Sequence, residues 1–246
     1  MADRERIYGR RPVAEAERGR RRVHRTWRAP ETTPEELERL CGSLDHQGVV
    51  AEVDPYPYAD PDSLFDDDDG QALIVALDQI QDPHNLGAVC RAAEVAGAAG
   101  VVIPERRAAS VTAAACKASA GAVEHLPVAR VRNLADWLAE AKRAEAWIYG
   151  ADAESERAYT DVEWTGRAVL VLGSEGRGLR QRVAKTCDEL VSIPVAGNVG
   201  SLNASVAAAV ILFEARRQRA GLAARQLSRV DRVHRPQLGA NQGFTA

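Results

Sequence analysis

Asn85 with Arg91, Glu175, and Ser201 with Asn203 stand on three separate stretches of the chain that share one layout. The first, Asp78-Gln79-Ile80-Gln81-Asp82-Pro83-His84-Asn85-Leu86-Gly87-Ala88-Val89-Cys90-Arg91, follows the apolar run Ala72–Leu77. The second, Gly173-Ser174-Glu175-Gly176-Arg177-Gly178, follows Ala168–Leu172, and the third, from Ile193 to Asn203, opens a strongly apolar helix. Glycine lets a backbone approach a ligand closely. Asn and Ser at a helix start supply side-chain oxygens and free backbone N–H groups. With one carboxylate and one guanidinium beside them, such residues can orient a hydroxyl, hold a phosphate and stabilise a developing alkoxide. Arg91 lies six residues after Asn85, about one and two-thirds helical turns, so side-chain reach is needed to bring the two together. A guanidinium is a poor base, with a pKa above about 12. Each residue also has a plainer role: helix capping for Ser201 and Asn203, a connecting turn for Gly173–Gly178, an ion pair with Glu94 for Arg91. His84 is set aside as an incidental loop histidine.

The elements that must position these loops alternate. Buried-type strands are predicted at Ala72–Leu77, Val101–Ile103, Leu126–Arg130, Trp147–Gly150, Val169–Leu172 and Leu190–Ile193. Helices are predicted at Leu86–Ala96, Val111–Ala118, Leu134–Ala144, Leu179–Thr186 and Asn203–Arg217. This pattern predicts an α/β fold with a mostly parallel sheet and helices on both faces. Ligands of such sheets bind beyond the carboxyl ends of the strands, which makes one composite site of the three loops. Residues 1–65 form a smaller unit, with a helix over Val13–Arg18, a helix over Glu35–Leu40 capped by Thr33-Pro34, and a strand over Gln47–Val53. The acidic run Asp66–Asp69 marks a linker over 66–71, the second unit spans 72–217, and 218–246 is expected to be a loose basic tail.

Composition narrows the function classes. The 246 residues carry a net charge of −3, yet residues 1–30 hold ten arginines against four acids. Such polarity points to nucleic acid more than the sum does, with a solvated surface in an arginine-preferring protein as the alternative reading. Arg18, Arg20, Arg21, Arg22 and Arg25 are the candidate phosphate contacts in that stretch. The four cysteines are scattered, without C-x-x-C or ligand-spaced histidines, so neither a disulfide framework nor a metal site is expected. Reduced thiols fit a cytoplasmic protein. No apolar stretch approaches membrane-spanning length. The glycines of Gly173–Gly178 are not spaced as a dinucleotide fingerprint, and no phosphate-binding G-x-x-x-x-G-K-[ST] occurs.

The three segments together, in this order and spacing, resemble the motifs of the SpoU/TrmH-type RNA ribose 2′-O-methyltransferases of the SPOUT, or α/β-knot, superfamily. The resemblance covers roughly 72–216. Ile7-Tyr8-Gly9, His46-Gln47-Gly48-Val49-Val50-Ala51-Glu52-Val53 and Pro55-Tyr56-Pro57-Tyr58 look like the substrate-binding domain of bacterial 23S rRNA guanosine 2′-O-methyltransferases. The resemblance implies S-adenosylmethionine as cofactor, contacted by Leu172, Gly173, Ile193 and Leu202. It implies a catalytic set of Asn85, Arg91, Glu175, Ser201 and Asn203, with Arg91 accepting the 2′-OH proton beside an RNA phosphate. It further implies a C-terminal trefoil knot, a homodimer whose site draws on both subunits, and 23S rRNA as substrate. The rivals are a tRNA guanosine methyltransferase, a non-catalytic RNA-binding ribosome-assembly factor and, more distantly, a small-molecule methyltransferase. Related chains are longer across Trp27–Leu40, so the L30e-like first domain is expected to be trimmed.

Overall fold

The computed structural model describes residues 4–66, 70–198 and 200–233, with side chains in the last helix described only through Leu222. Most of the acidic run and the end of the basic tail lie outside the described residues.

The first unit is a three-stranded antiparallel sheet in the order β1-β3-β2, formed by β1 (Glu5–Tyr8), β2 (Val23–Arg28) and β3 (Val49–Val53). Two of these strands escape the sequence pattern: β1 is only four residues long, and β2 is rich in arginine and half-buried. β3 starts at Val49 rather than Gln47, because Gln47 and Gly48 both adopt left-handed backbone angles. Helix α1 (Arg10–Ala16) lies earlier than expected. Helix α2 (Pro34–Cys41) begins with a capping box, in which Thr33 and Glu36 satisfy each other's backbone N–H groups.

The second unit is a six-stranded parallel sheet in the order β6-β5-β4-β8-β7-β9. Its strands are β4 (Leu73–Asp78), β5 (Gly100–Pro104), β6 (Val128–Val131), β7 (Trp147–Ala151), β8 (Ala168–Gly173) and β9 (Glu189–Val191). Side chains of β4 alternate between faces, as a pleated strand requires. Leu73, Val75 and Leu77 join the core beneath α3 (Pro83–Ala96), α4 (Ala113–Ala118) and α7 (Ala204–Val233). Ile74 and Ala76 join the opposite core, beneath α5 (Leu134–Arg143) and α6 (Gln181–Thr186). Helices on both faces of a parallel sheet were the expectation, and this is the architecture found.

The described part of the expected tail, residues 218–233, is helical, and residues 234–246 lie outside the described residues. Helix α7 runs on to Val233, because Ala220, Leu222, Ala223, Ala224 and Leu227 are strong helix formers and no proline intervenes before Pro236.

The two units share one apolar core, since Ile7, Val13, Ala51, Val53 and Tyr56 belong to the same cluster as Val75, Val101 and Leu170. The Tyr56 hydroxyl donates to the Val123 carbonyl at 2.9 Å. Arg21 crosses the junction, donating from Nε to Glu124 Oε2 at 2.9 Å and from Nη1 to Glu5 Oε2 at 3.1 Å. Its side chain is 1% exposed and that of Glu124 is fully buried. Burial works against the Arg21 charge, and the Glu124 carboxylate more than offsets it, so the guanidinium is held above its ordinary pKa. Arg21 therefore cannot be a phosphate contact. Arg20 is also engaged with protein, donating to the Leu126 carbonyl at 3.0 Å. Removing one member of a buried pair leaves the other charge unpaired, at a cost of about 3–5 kcal/mol. Arg21→Met should therefore lower the unfolding free energy by about that amount in urea titration, whereas Arg18→Met should change it by less than about 0.5 kcal/mol.

Candidate active site

β4 and β8 are neighbours, with Asp78 in register with Gly173, so the loops leaving their carboxyl ends emerge side by side. Asp82 caps α3 by accepting from the His84 N–H at 2.9 Å, and Pro83 occupies the first turn. This places Asn85 in the first turn of α3, facing the loop after β8. That loop doubles back on itself, and the Gly178 N–H donates to the Ser174 carbonyl at 2.9 Å. A Cβ on Gly173 would meet the Gly178 carbonyl carbon at 2.2 Å and the Leu179 nitrogen at 2.5 Å. Only glycine fits there, since both neighbours are backbone. Asp78, fully buried at the end of β4, anchors the far side of the loop. Its carboxylate accepts from the Arg180 N–H at 2.8 Å and from Arg180 Nε at 2.7 Å.

The third stretch completes the set. Asn203 Oδ1 accepts from the Ser205 N–H at 2.9 Å and from the Val206 N–H at 3.3 Å, capping α7. Its Nδ2 is thereby turned outward, where it donates to Asn85 Oδ1 at 3.0 Å and to Glu175 Oε1. Glu175 Oε1 also accepts from Asn85 Nδ2 at 3.0 Å. Asn85, Glu175 and Asn203, one from each loop, thus form a closed ring of hydrogen bonds.

Two cavities meet at this ring. The larger, about 430 Å³, is lined by all four expected cofactor residues, Leu172, Gly173, Ile193 and Leu202, and by Ser201. The smaller, about 280 Å³, is lined by Gln79, Gln81, Asp82 and Asn85. Glu175 lines both. Arg91 lines neither: it is exposed on α3 and, among the described residues, forms no ion pair, with Glu94 or any other acid. Burial pushes the thiols of Cys90, Cys116 and Cys187 up to about 12, which suits packing and not nucleophilic attack.

Several residues here were given no role from the sequence. Asp78 lay inside the first segment, and its partner Arg180 lies 102 positions away in sequence, beyond any local pattern. Asp152 and Glu154 put carboxylates on the wall of the larger cavity. They follow β7 as the other loops follow their strands, and that placement was the available signal. Among the described residues no cluster could hold a metal ion.

A pocket beyond the carboxyl ends of parallel strands, with an apolar wall, a glycine cradle and a polar ring, defines a ligand-binding α/β enzyme fold. The chain belongs to the SpoU rRNA methylase family, whose model matches residues 72–213. A second model, the substrate-binding domain of RNA 2′-O ribose methyltransferases, matches residues 30–59. YacO of Bacillus subtilis, assigned to the TrmH family of tRNA/rRNA methyltransferases, is 38% identical over 87% of this chain and 95% of its own length. An uncharacterised tRNA/rRNA methyltransferase of Mycobacterium avium is 48% identical over 76% of this chain, which spans 61% of that relative. The crystal structure of the SpoU methyltransferase AviRb from Streptomyces viridochromogenes, in complex with AdoMet, superposes with a TM-score of 0.75. It is 29% identical and the match covers 87% of this chain and 90% of that one.

The tight approach at Gly173 gives a sharp expectation. Gly173→Ala should open the Ser174–Gly178 turn and weaken S-adenosylmethionine binding by at least about tenfold in calorimetry, equivalent to about 1.4 kcal/mol. Gly197→Ala, where an added Cβ meets nothing within 4 Å, should leave the affinity within about twofold.

Proposed function

We propose that this chain methylates the ribose 2′-hydroxyl of a guanosine in 23S rRNA. The coarser activity, S-adenosylmethionine-dependent RNA methylation, follows from membership of the SpoU family and likeness to an AdoMet-bound member. The observation that carries the placement of cofactor and acceptor hydroxyl is the position of Glu175, shared by two cavities of different character.

The larger cavity fits the cofactor. Leu172, Ile193 and Leu202 offer apolar walls for a purine, Gly173 keeps the backbone turn close, and Asp152 and Glu154 can accept from ribose hydroxyls. When bound, the cofactor supplies a methyl group made electrophilic by its sulfonium. The smaller cavity receives the acceptor nucleotide. Asn85 and Asn203, locked by Glu175, hold the 2′-hydroxyl in line with that methyl group. Ser201 orients the same region from the cofactor side. Arg91 takes up the hydroxyl proton with help from an adjacent phosphate, or holds that phosphate with two parallel hydrogen bonds.

Arg91 stands apart from its own ring, which supports a site completed by a second copy. Val95 on α3 and Val206 and Phe213 on the adjacent α7 are about half exposed. Arg91 lies one helical turn from Val95, at the edge of this patch. A homodimer that buries the patch sets Arg91 at the interface. The knotted path of the C-terminal segment belongs to the same proposal, as does a cytoplasmic location. No described helix is long and apolar enough to cross a membrane.

The choice of rRNA rests on the family description and on the substrate-binding match at residues 30–59, while the relatives' names admit tRNA as well. Ribose-methylation mapping of 23S rRNA and total tRNA, with and without the gene, decides between them. One 23S guanosine should lose its mark and regain it on expression of wild-type protein but not of Arg91→Ala. Loss at a tRNA position instead would reassign the substrate, and no loss at any ribose would overturn the activity.

A further inference from the structure

A second cationic feature lies outside the catalytic cavities. A cleft of about 510 Å³ between the first unit and α4 is lined by Arg10, Arg11, Pro12, Gln47, Lys117 and Ala120. Three of these six side chains are cations and none is an acid. Among the described residues, Arg10, Arg11 and Lys117 form no ion pair, and Arg10 and Arg11 are exposed. Most other cations of the first unit are already engaged: Arg4 with Glu52, Arg21 with Glu124, Arg28 with Glu17.

The local structure holds the three cations in place without neutralising them. Arg10 donates from Nε to the Gln47 carbonyl at 3.2 Å, and its backbone N–H donates to Gln47 Oε1 at 3.1 Å. Lys117, on α4, reaches across the junction and donates to the Asp45 carbonyl at 2.8 Å. An ammonium has three donors, so others remain for a ligand. Gly9 lies beside this crossing. Its φ is +101°, and a Cβ there would stand 2.8 Å from Lys117 Nζ. Burial also lowers the pKa of Lys117, which an arriving anion would reverse.

We propose that this cleft holds successive backbone phosphates of the RNA substrate, bridging the two units and fixing the strand relative to the catalytic cavities. The proposal rests on the RNA-methylating activity inferred above. Three unpaired cations contributed by two elements and spread along an open cleft suit a polyanionic strand better than a single small anion. Phosphate contacts of this kind set position without reading sequence.

The test uses the full chain, a stem-loop RNA of mixed sequence, and binding measured over a range of salt concentrations. Arg10→Gln combined with Arg11→Gln should reduce the slope of log K against log salt by about 1.5, as expected for two lost phosphate contacts. Arg11→Glu alone, at a side chain with no described hydrogen bond, guards against a folding effect in the double variant. It should reduce the slope by about 1 or more. In both variants the RNA KM should rise while kcat and cofactor affinity are kept. Arg143→Gln, at the exposed end of α5 on the opposite face of the sheet, should leave the slope unchanged. Unaltered slopes in both cleft variants, with RNA binding intact, would overturn the cleft. Absence of RNA binding by the wild-type protein would instead overturn the activity on which the proposal rests.

Discussion

The Glu175 carboxylate is the point on which the proposed catalytic arrangement depends, because one of its oxygens receives amide hydrogens from Asn85 and Asn203. These residues come from three loops whose only covalent connection runs through the whole sheet. Their meeting requires β4 beside β8, a turn that returns on itself at Gly173, and a helix cap that commits one end of Asn203 so that its other end faces outward. Each condition is backbone-built, and each leaves the polar atoms pre-oriented. Preorganised donors cost no rearrangement during reaction, which is where most electrostatic catalysis originates.

The same economy governs the arginines. A charge can serve a ligand only if the fold does not already use it. Arg21 is engaged at the junction of the two units with Glu124, and Arg180 is engaged with Asp78 at the edge of the Gly173–Gly178 loop. Arg10, Arg11 and Arg91 are not spent in this way among the described residues. Counting arginines in the first thirty residues treats all of them alike, whereas burial and pairing divide them into fasteners and available cations. The net charge of −3 hides this division completely.

Much of the second unit was legible in the sequence because its strands are buried on both faces and its helices carry apolar stripes. The run from Leu73 to Leu77 could scarcely be anything but a central parallel strand. The loops at Gly173 and Asn203 were legible as site candidates from glycine and cap residues. What they bond to was not, since those partners come from loops far away in sequence. β2 was missed because Arg25 and Trp27 share a half-exposed strand without an apolar alternation. The length of α7 was missed because apolar periodicity fades after Arg217 while helix propensity does not. Periodicity reports burial, and a helix can outrun the surface that buries it.

Whether Asn85, Glu175 and Asn203 act as one unit is best settled by a double-mutant cycle on methyl transfer. The turnover of Asn85→Ala, Glu175→Ala and the combined variant would be measured in single-turnover reactions with saturating cofactor. If the ring is one device, either substitution alone should cost most of the rate, and the second should add less than about tenfold. Fully multiplicative losses would mean that the two residues work independently, and the account of a single preorganised ring would be wrong.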